Sequence, residues 1–404
     1  MIVIGYGQRD PSVPAAHVYS AAPLVRGLLA WQRRAKTLWS GYFGGTWSVR
    51  GLPSTATVFC GSTANNEREF RFLGETIDGF PGLETYHRQA NISFGDRTEL
   101  NVGFSKKMVV LLCFVIATLY IPRLKGGRLA TKTLRLYVTN FVQFFLAFTE
   151  SPHTPQYVIF SNDHSPHATA CLAVAKIFGC KTVYVQHAEV TNRFPPLAFD
   201  IAVLRNHRSV RIYESRGEST TKTYVIRREG EVAFTPELAL TSPRKPVCVV
   251  VHLSVYFDES ITESVVSSLK QNPEVSKVLV SFHPAFDLEN SRPPWVSEEE
   301  VYSRSRPVDH IAIVGNSSVC IDLLAKGIRV FQLFDFSYGP ADYYGFVDSE
   351  ICPHIGMSDL HRPFWDGDFF DGSWLERFSR DHGQSNEERL EQISLLSSRI
   401  KPSQ

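Results

Sequence analysis

The sequence predicts an α/β protein with two lobes, each built around a parallel β-sheet. At about 100–200 residues per domain, a length of 404 residues suits two domains. From residue 157 onward, short apolar runs alternate with helix-like segments, the pattern of βαβ units. A polar, proline-containing stretch interrupts this alternation once, and a second series of the same kind follows it. We therefore expect two sheets whose carboxyl edges face a cleft.

The first series begins with the apolar run at 157–161, which is followed by a well-marked helix. Ser165 is placed to cap the helix, Pro166 suits its first turn, and Gly179 suits the position just past its end. Three further strands are predicted, at 181–186, 200–204 and 223–227.

The second series begins after residues 229–246, which hold three prolines and show no clear period, so we interpret them as a linker. Its segments share the apolar character of buried parallel strands and their helices: strands at 247–253, 277–282, 310–314 and 329–333, and helices at 259–269 and 317–325. The predicted domains are an acceptor-side lobe, a nucleotide-donor lobe and an amphipathic C-terminal helix, at 1–228, 247–385 and 386–404.

The first 150 residues give weaker signals. Residues 1–7 are typical of a buried strand rather than of a signal peptide. The apolar run from Met108 to Ile121 is shorter than the roughly 20 residues that a spanning helix needs. A buried helix is one interpretation of this run. The other is a peripheral membrane contact through 106–128, because lysines and arginines flank the run.

Composition excludes several classes of protein and site. The net charge of +1 gives no bias toward nucleic acid. The seven cysteines form no C-x-x-C pair and no zinc-binding spacing, so we expect reduced thiols in a cytoplasmic protein. Asp366-Gly367-Asp368 has the form of a metal-binding D-x-D motif, but it lies in an irregular aromatic stretch and is interpreted as a solvated loop. We expect no metal.

Two short motifs in the second lobe suit an anion. His283-Pro284 follows one predicted strand, and Gly315-Asn316-Ser317-Ser318 follows the next and opens a helix. A helix N-terminus presents unpaired N–H groups, and the serine hydroxyls add donors. A loop histidine and a plain N-cap serine are the simpler interpretations of each motif alone. Because both motifs follow strands taken as neighbours, we predict that they share a phosphate site.

Candidate catalytic carboxylates follow strands of the first lobe. Asp163 comes after the strand at 157–161, and His187 and Glu189 come after the strand at 181–186. A carboxylate within hydrogen-bond reach of an acceptor hydroxyl removes its proton as the new bond forms. The alternatives are a structural carboxylate for Asp163, a solvated charge for Glu189 and a structural histidine for His187. The sequence does not rank the two carboxylates.

The pairing of His283-Pro284 with Ser317-Ser318 resembles the paired motifs of bacterial sialyltransferases and polysialyltransferases of the GT-B architecture. In those families the motifs hold the CMP part of the donor. The stretches 184–204 and 342–348 also resemble capsule and teichoic-acid polymerases, including CDP-glycerol glycerophosphotransferases and Kdo transferases. The acidic motif that supplies the base in sialyltransferases has no clear counterpart in this sequence.

The resemblance implies two Rossmann-like lobes and a glycosyltransferase. It implies a CMP-activated ulosonic acid donor of Kdo or sialic acid type, no other cofactor, and a lipid-linked or oligosaccharide acceptor at the inner face of the bacterial membrane. The donor phosphate would be held by His283, Pro284, Asn316, Ser317 and Ser318. The alternatives are a CDP-polyol phosphotransferase, a sugar-nucleotide epimerase and a non-catalytic glycan-binding subunit of a polysaccharide assembly complex.

Overall fold

A computed structural model describes residues 57–61, 64–77, 128–151, 153–228, 234–254, 256–284, 286–303 and 309–400. The predicted strand at 1–7 and the apolar run from Met108 to Ile121 lie outside these residues. Within the described part of the chain, no helix is long and apolar enough to cross a membrane.

The described strands are all short and lie in two sheets. They are β1 (Thr57–Cys60), β2 (Tyr157–Phe160), β3 (Lys181–Val185), β4 (Ile201–Leu204), β5 (Lys222–Val225), β6 (Val247–His252), β7 (Val275–Ser281), β8 (Ile311–Val314) and β9 (Val330–Gln332). The described helices are α1 (Ala64–Thr76), α2 (Arg128–Glu150), α3 (Pro166–Ile177), α4 (His207–Ser215), α5 (Glu259–Gln271), α6 (Leu288–Ser291), α7 (Val319–Ala325), α8 (Gly372–His382) and α9 (Asn386–Ile400).

The first sheet has the strand order β1-β2-β3-β4-β5, and every pairing is parallel. Alternate side chains of a strand point to opposite faces, so each face needs its own cover. Val158 and Phe160 pack in one apolar cluster with α2 and α3. Ile159 packs in another, which contains residues of α1 and α9. Helices therefore cover both faces of this sheet, as parallel sheets require.

The second sheet has the strand order β7-β6-β8-β9 and is also parallel. The two sheets confirm the predicted fold class of two α/β lobes. The prediction that the strands before His283 and Ser317 are neighbours is wrong, because β6 lies between them. These strands are two spacings apart, about 10 Å, rather than neighbours. The chain moves to one side of β6 and then to the other, and such a reversal is where open α/β sheets bind ligands.

Local signals placed several element ends correctly. Ser165 caps α3 by accepting a hydrogen bond from the Ala168 N–H at 3.2 Å, and Gly179 adopts a φ of 73° just past the helix. Helix α7 begins at Val319, two residues later than predicted, with Ser318 at the N-cap position. Sequence analysis did not identify β1, α1, α2, α4 or α8.

The chain returns to the first lobe at its C-terminal end. Leu396 and Ile400 of α9 are buried in the first-lobe cluster that contains Phe59 and Phe70. The Tyr157 hydroxyl donates to the Ile400 carbonyl at 2.8 Å. The amphipathic helix predicted from residue 386 thus completes the first lobe, although it follows the second lobe in sequence.

Candidate functional site

The two lobes meet where the loop at 340–346 of the second lobe contacts loops of the first. The backbone carbonyl of Tyr343 accepts a hydrogen bond from Thr191 Oγ1 at 2.9 Å. The backbone N–H of Tyr343 donates to Asn316 Oδ1, also at 2.9 Å. Since Thr191 is two residues past Glu189, one residue joins the predicted carboxylate loop to the predicted phosphate loop.

Glu189 is buried at this junction, with 2% of its surface exposed. Its Oε1 accepts a hydrogen bond from Asn206 Nδ2 at 2.9 Å, and its Oε2 has no hydrogen-bond partner. The Arg208 guanidinium lies 3.9 Å from Oε2. Burial raises the pKa of the Glu189 carboxyl, against the opposing charges of Arg205 and Arg208. A carboxylate with one oxygen free of hydrogen bonds and a raised pKa is suited to accept a proton.

Asp163 has a different environment. Its Oδ1 lies 2.8 Å from His164 Nδ1, and its Oδ2 accepts a hydrogen bond from the buried Tyr213 hydroxyl at 2.5 Å. Both oxygens are therefore used inside the first lobe. Nearby, the Asn162 side chain accepts from the backbone N–H of Ser165 at 2.7 Å. These contacts fit the structural interpretation of Asp163 better than a catalytic one.

His187 lies between the two carboxylates in sequence and is partly buried. Its Nδ1 is buried without a hydrogen-bond partner, and its ring hydrogen-bonds to the backbone of Ser161. Burial lowers the pKa of the imidazole, against the opposing charge of Asp163. His187 is therefore neutral at pH 7 and is tied to the loop that follows β2.

A cavity of about 50 Å³ opens beside Glu189, between the lobes. Its lining includes ionisable side chains that sequence analysis missed: Arg205, Arg227, Arg228, Asp322 and His382. The sequence did contain a signal for the three arginines. Arg205 directly follows β4, and Arg227 and Arg228 come two and three positions after the end of β5. Asp322 and His382 lie within helices, where no strand-end rule would find them.

The predicted phosphate residues lie along the carboxyl edge of the second sheet. His283 is half-buried and Pro284 is exposed in the turn after β7. Ser317 and Ser318 are half-buried after β8, and the Ser318 side chain makes no capping hydrogen bond. The Asn316 amide holds the neighbouring loop instead, donating to the Pro340 carbonyl at 2.9 Å. The motifs thus share a sheet edge, with the loop after β6 between them.

Several N–H groups of this edge already have partners. The backbone N–H of Asn316 donates to Ser337 Oγ at 3.2 Å, and that of Ser317 donates to the Gly315 carbonyl at 2.9 Å. Gly315 is needed here, because a Cβ at this position would lie 1.8 Å from Ser337 Oγ. Ligand binding by this loop would therefore depend on hydroxyl groups more than on backbone N–H groups.

The Asp366-Gly367-Asp368 segment forms no convergent pair. Asp366 Oδ2 accepts a hydrogen bond from Lys245 Nζ at 2.6 Å, and Asp368 is exposed. Among the residues that the structure describes, no group of three or more His, Cys, Asp or Glu side chains is placed to hold a metal ion.

No protein-family model matches the sequence, and a comparison with curated proteins finds no match. Solved structures with a similar backbone include a Listeria monocytogenes protein described as a UDP-N-acetylglucosamine 2-epimerase (TM-score 0.44, 11% identity, covering 86% of this chain and 97% of that chain). The calicheamicin glycosyltransferase CalG4 matches with a TM-score of 0.42 and 11% identity, over 68% of this chain and 83% of its own.

A third similar structure is the glycosyltransferase SnogD from Streptomyces nogalater (TM-score 0.41, 10% identity, covering 87% of this chain and 100% of that chain). At these scores and identities, the similarity assigns neither a family nor an activity to this chain.

Proposed function

We propose that the chain is a GT-B type glycosyltransferase that uses a nucleotide-activated sugar donor. The observation that carries the proposal is the position of Glu189. Its carboxylate is buried beside an interlobe cavity, with one oxygen free of hydrogen bonds. Through Thr191 and Tyr343, its loop is joined to the loop that carries Ser317 and Ser318.

In the proposed reaction, an acceptor hydroxyl oxygen attacks the anomeric carbon of the donor sugar. The bond from that carbon to the phosphate oxygen breaks, and its electron pair leaves with the nucleotide. Glu189 takes the proton from the acceptor hydroxyl. His283, Ser317 and Ser318 donate hydrogen bonds to the phosphate, on which negative charge grows as the bond breaks.

Asn316 and Pro284 have positioning roles in this mechanism. The Asn316 side-chain amide makes hydrogen bonds of 2.9 Å to the backbone of Pro340 and of Tyr343, so it holds the loop at 340–346 rather than the ligand. Pro284 restricts the backbone of the preceding His283 to extended conformations. Asp163 and His187 would support the first-lobe loops that carry Glu189.

A CMP-activated ulosonic acid of Kdo or sialic acid type is the proposed donor, and the acceptor is a bacterial surface glycan such as lipopolysaccharide O-antigen or capsule. We propose that the protein works in the cytoplasm. We also propose that residues 106–128 contact the inner face of the membrane. The reaction would need no metal, because the fixed donors of the second lobe stabilise the leaving phosphate.

Calorimetry with CMP, CDP and UDP tests the donor. The proposal expects CMP to bind, with affinity lowered at least tenfold in a Ser317→Ala/Ser318→Ala double variant. Ser373→Ala, on an exposed helix start, serves as the matched control. Preferred binding of CDP would favour a polyol phosphotransferase, and no nucleotide binding at all would favour a glycan-binding subunit.

Product analysis by NMR, with CMP-Kdo and CMP-sialic acid and a panel of acceptors, tests the reaction itself. The proposal expects a new glycosidic linkage, formed equally well with and without a chelator. If CMP binds but neither donor yields a product with any acceptor, the assignment of the donor sugar is wrong.

A further inference from the structure

The interlobe cavity has the size and the charge of a site for one small anionic group. Its volume of about 50 Å³ exceeds the roughly 10–15 Å³ that one water needs, so a small group fits. Three guanidinium groups and two carboxylates line it, an excess of one positive charge among the lining side chains. The Arg205 guanidinium already pairs with Asp322 at 3.2 Å across the lobes.

The other charged side chains that line the cavity also have contacts of their own. Arg227 lies over the Phe234 ring, 4.3 Å from its centroid, and burial lowers the pKa of its guanidinium. Arg228 pairs with the buried Glu69 at 3.1 Å. Glu189 also lines the cavity, and its buried Oε2 has no hydrogen-bond partner.

His382 supplies the second line of evidence. It is 4% exposed, it lines the cavity, and neither ring nitrogen has a hydrogen-bond partner. Burial lowers the pKa of its imidazole well below the usual value, and so do the facing arginines: Arg208, Arg211, Arg205 and Arg227. The ring is therefore neutral and has one N–H to donate. A buried polar group without a partner destabilises the folded state, and a hydrogen bond to a bound oxyanion would offset that cost.

We infer that this cavity binds the carboxylate or phosphate group of a substrate, with His382 donating a hydrogen bond and Arg205 and Arg227 supplying positive charge. The inference rests on the proposed function in one respect, namely that the anionic group belongs to a sugar substrate. An ulosonic acid bears a carboxylate on its anomeric carbon, the atom that is attacked, whereas a neutral hexose bears none. Glu189, in the same cavity, would then stand beside the reacting carbon.

Thermal unfolding in acetate, inorganic phosphate or chloride at equal ionic strength tests the site without any nucleotide. The Tm of the wild-type protein should rise in acetate or phosphate relative to chloride, because a ligand that binds only the folded state stabilises it. A carboxylate site gives the larger shift with acetate, and a phosphate site gives it with phosphate. Equal Tm values in the three salts would overturn the inference.

Two variants separate specific binding from general salt effects. His382→Phe keeps the stacking on Phe378, at 4.8 Å between ring centroids, but removes the N–H donor. Arg227→Gln removes one charge. Both should lose the anion-dependent Tm shift or weaken anion binding at least tenfold, whereas Arg380→Gln, whose side chain is 65% exposed, should keep it. An unchanged shift in both cavity variants would also overturn the inference.

His382→Phe has a further expected effect, which a purely structural histidine would not show. In chloride its Tm should equal or exceed that of the wild type, since an unpartnered polar ring is replaced by an apolar one. The anion site and the glycosyltransferase activity can be rejected independently. If the protein transfers sugar but its Tm does not respond to anions, only the anion site is wrong. If anions raise the Tm but no nucleotide binds, only the glycosyltransferase proposal is wrong.

Discussion

Two neighbouring loops of the first lobe each carry a carboxylate and a histidine, but in different environments. The loop after β2 and the loop after β3 each place a carboxylate just past a buried strand. Asp163, in the first, has hydrogen bonds on both oxygens. Glu189, in the second, has a hydrogen bond on one oxygen only and lines the interlobe cavity. A strand-end carboxylate therefore marks a candidate, and its partners decide whether it supports the fold or faces a ligand.

The largest expected effect is on catalysis. Glu189→Gln keeps the shape and the Asn206 contact but removes the base, so the transfer rate should fall about 10²–10⁴-fold. Asp163→Asn should lower it by about tenfold or less, through loop displacement alone. Steady-state rates with the CMP-linked donor compare the two. If Asp163→Asn is the inactive variant and Glu189→Gln is active, the roles of the two carboxylates are reversed.

The next effect is on stability and falls on the other loop. Asp163→Ala should lower the free energy of unfolding by about 2–3 kcal/mol, because it leaves the buried Tyr213 hydroxyl without its acceptor. Tyr213→Phe should lower the free energy of unfolding less in the Asp163→Ala variant than in the wild type. Urea unfolding of the wild type, the two single variants and the double variant measures this coupling. Additive costs would show that the Tyr213 contact does not anchor the loop.

The pH dependence of stability sharpens the contrast. The folded-state pKa of Glu189 is raised, mainly by burial, whereas an unfolded glutamate titrates near pH 4.3. Between these two pKa values the folded state holds the extra proton, so rising pH lowers the free energy of unfolding until Glu189 is ionised. Glu189→Gln should remove this loss and stabilise the protein by about 1 kcal/mol at pH 7.

Thermal unfolding of the wild type and Glu189→Gln between pH 4 and pH 8 measures this difference. The gap should widen with pH and then level off. A gap that narrows as the pH rises would mean that Arg205 and Arg208 outweigh burial at this site.

The smallest expected effect concerns the cap of α3, at the end of the loop after β2. Ser165→Ala should cost about 1 kcal/mol, because the side chain accepts the Ala168 N–H. The transfer rate should stay unchanged, since this loop serves the fold. Chemical denaturation and the transfer assay together check both parts. A loss of activity without a loss of stability would move this loop into the site.

The sequence predicted the architecture where the signals were local. Strands such as β6 are continuous apolar runs because both faces of a parallel sheet are buried. The caps of α3 were predicted from Ser165 and Gly179, since capping depends on residues next to one another in the chain. Helix α7 was placed within two residues of its true start.

The sequence did not reveal what depends on distant residues. The order β7-β6-β8-β9 reflects which side of the sheet each crossover takes, and both sides are open to a right-handed connection. The partner of the Asn316 N–H is Ser337, 21 positions away in the chain. The cavity joins Arg205 and Arg227, which follow strands of the first lobe, to Asp322 and His382, which lie on helices distant in the chain.

The return of α9 to the first lobe affects the order of folding during synthesis. Part of one apolar face of the first sheet, beside α1, stays exposed until Leu396 and Ile400 have been synthesised, whereas the second sheet closes its core with residues up to Phe378. We therefore expect the second lobe to reach its native packing first, and the first lobe to complete its packing only when α9 has been made. Between these events the uncovered face would be a target for chaperones.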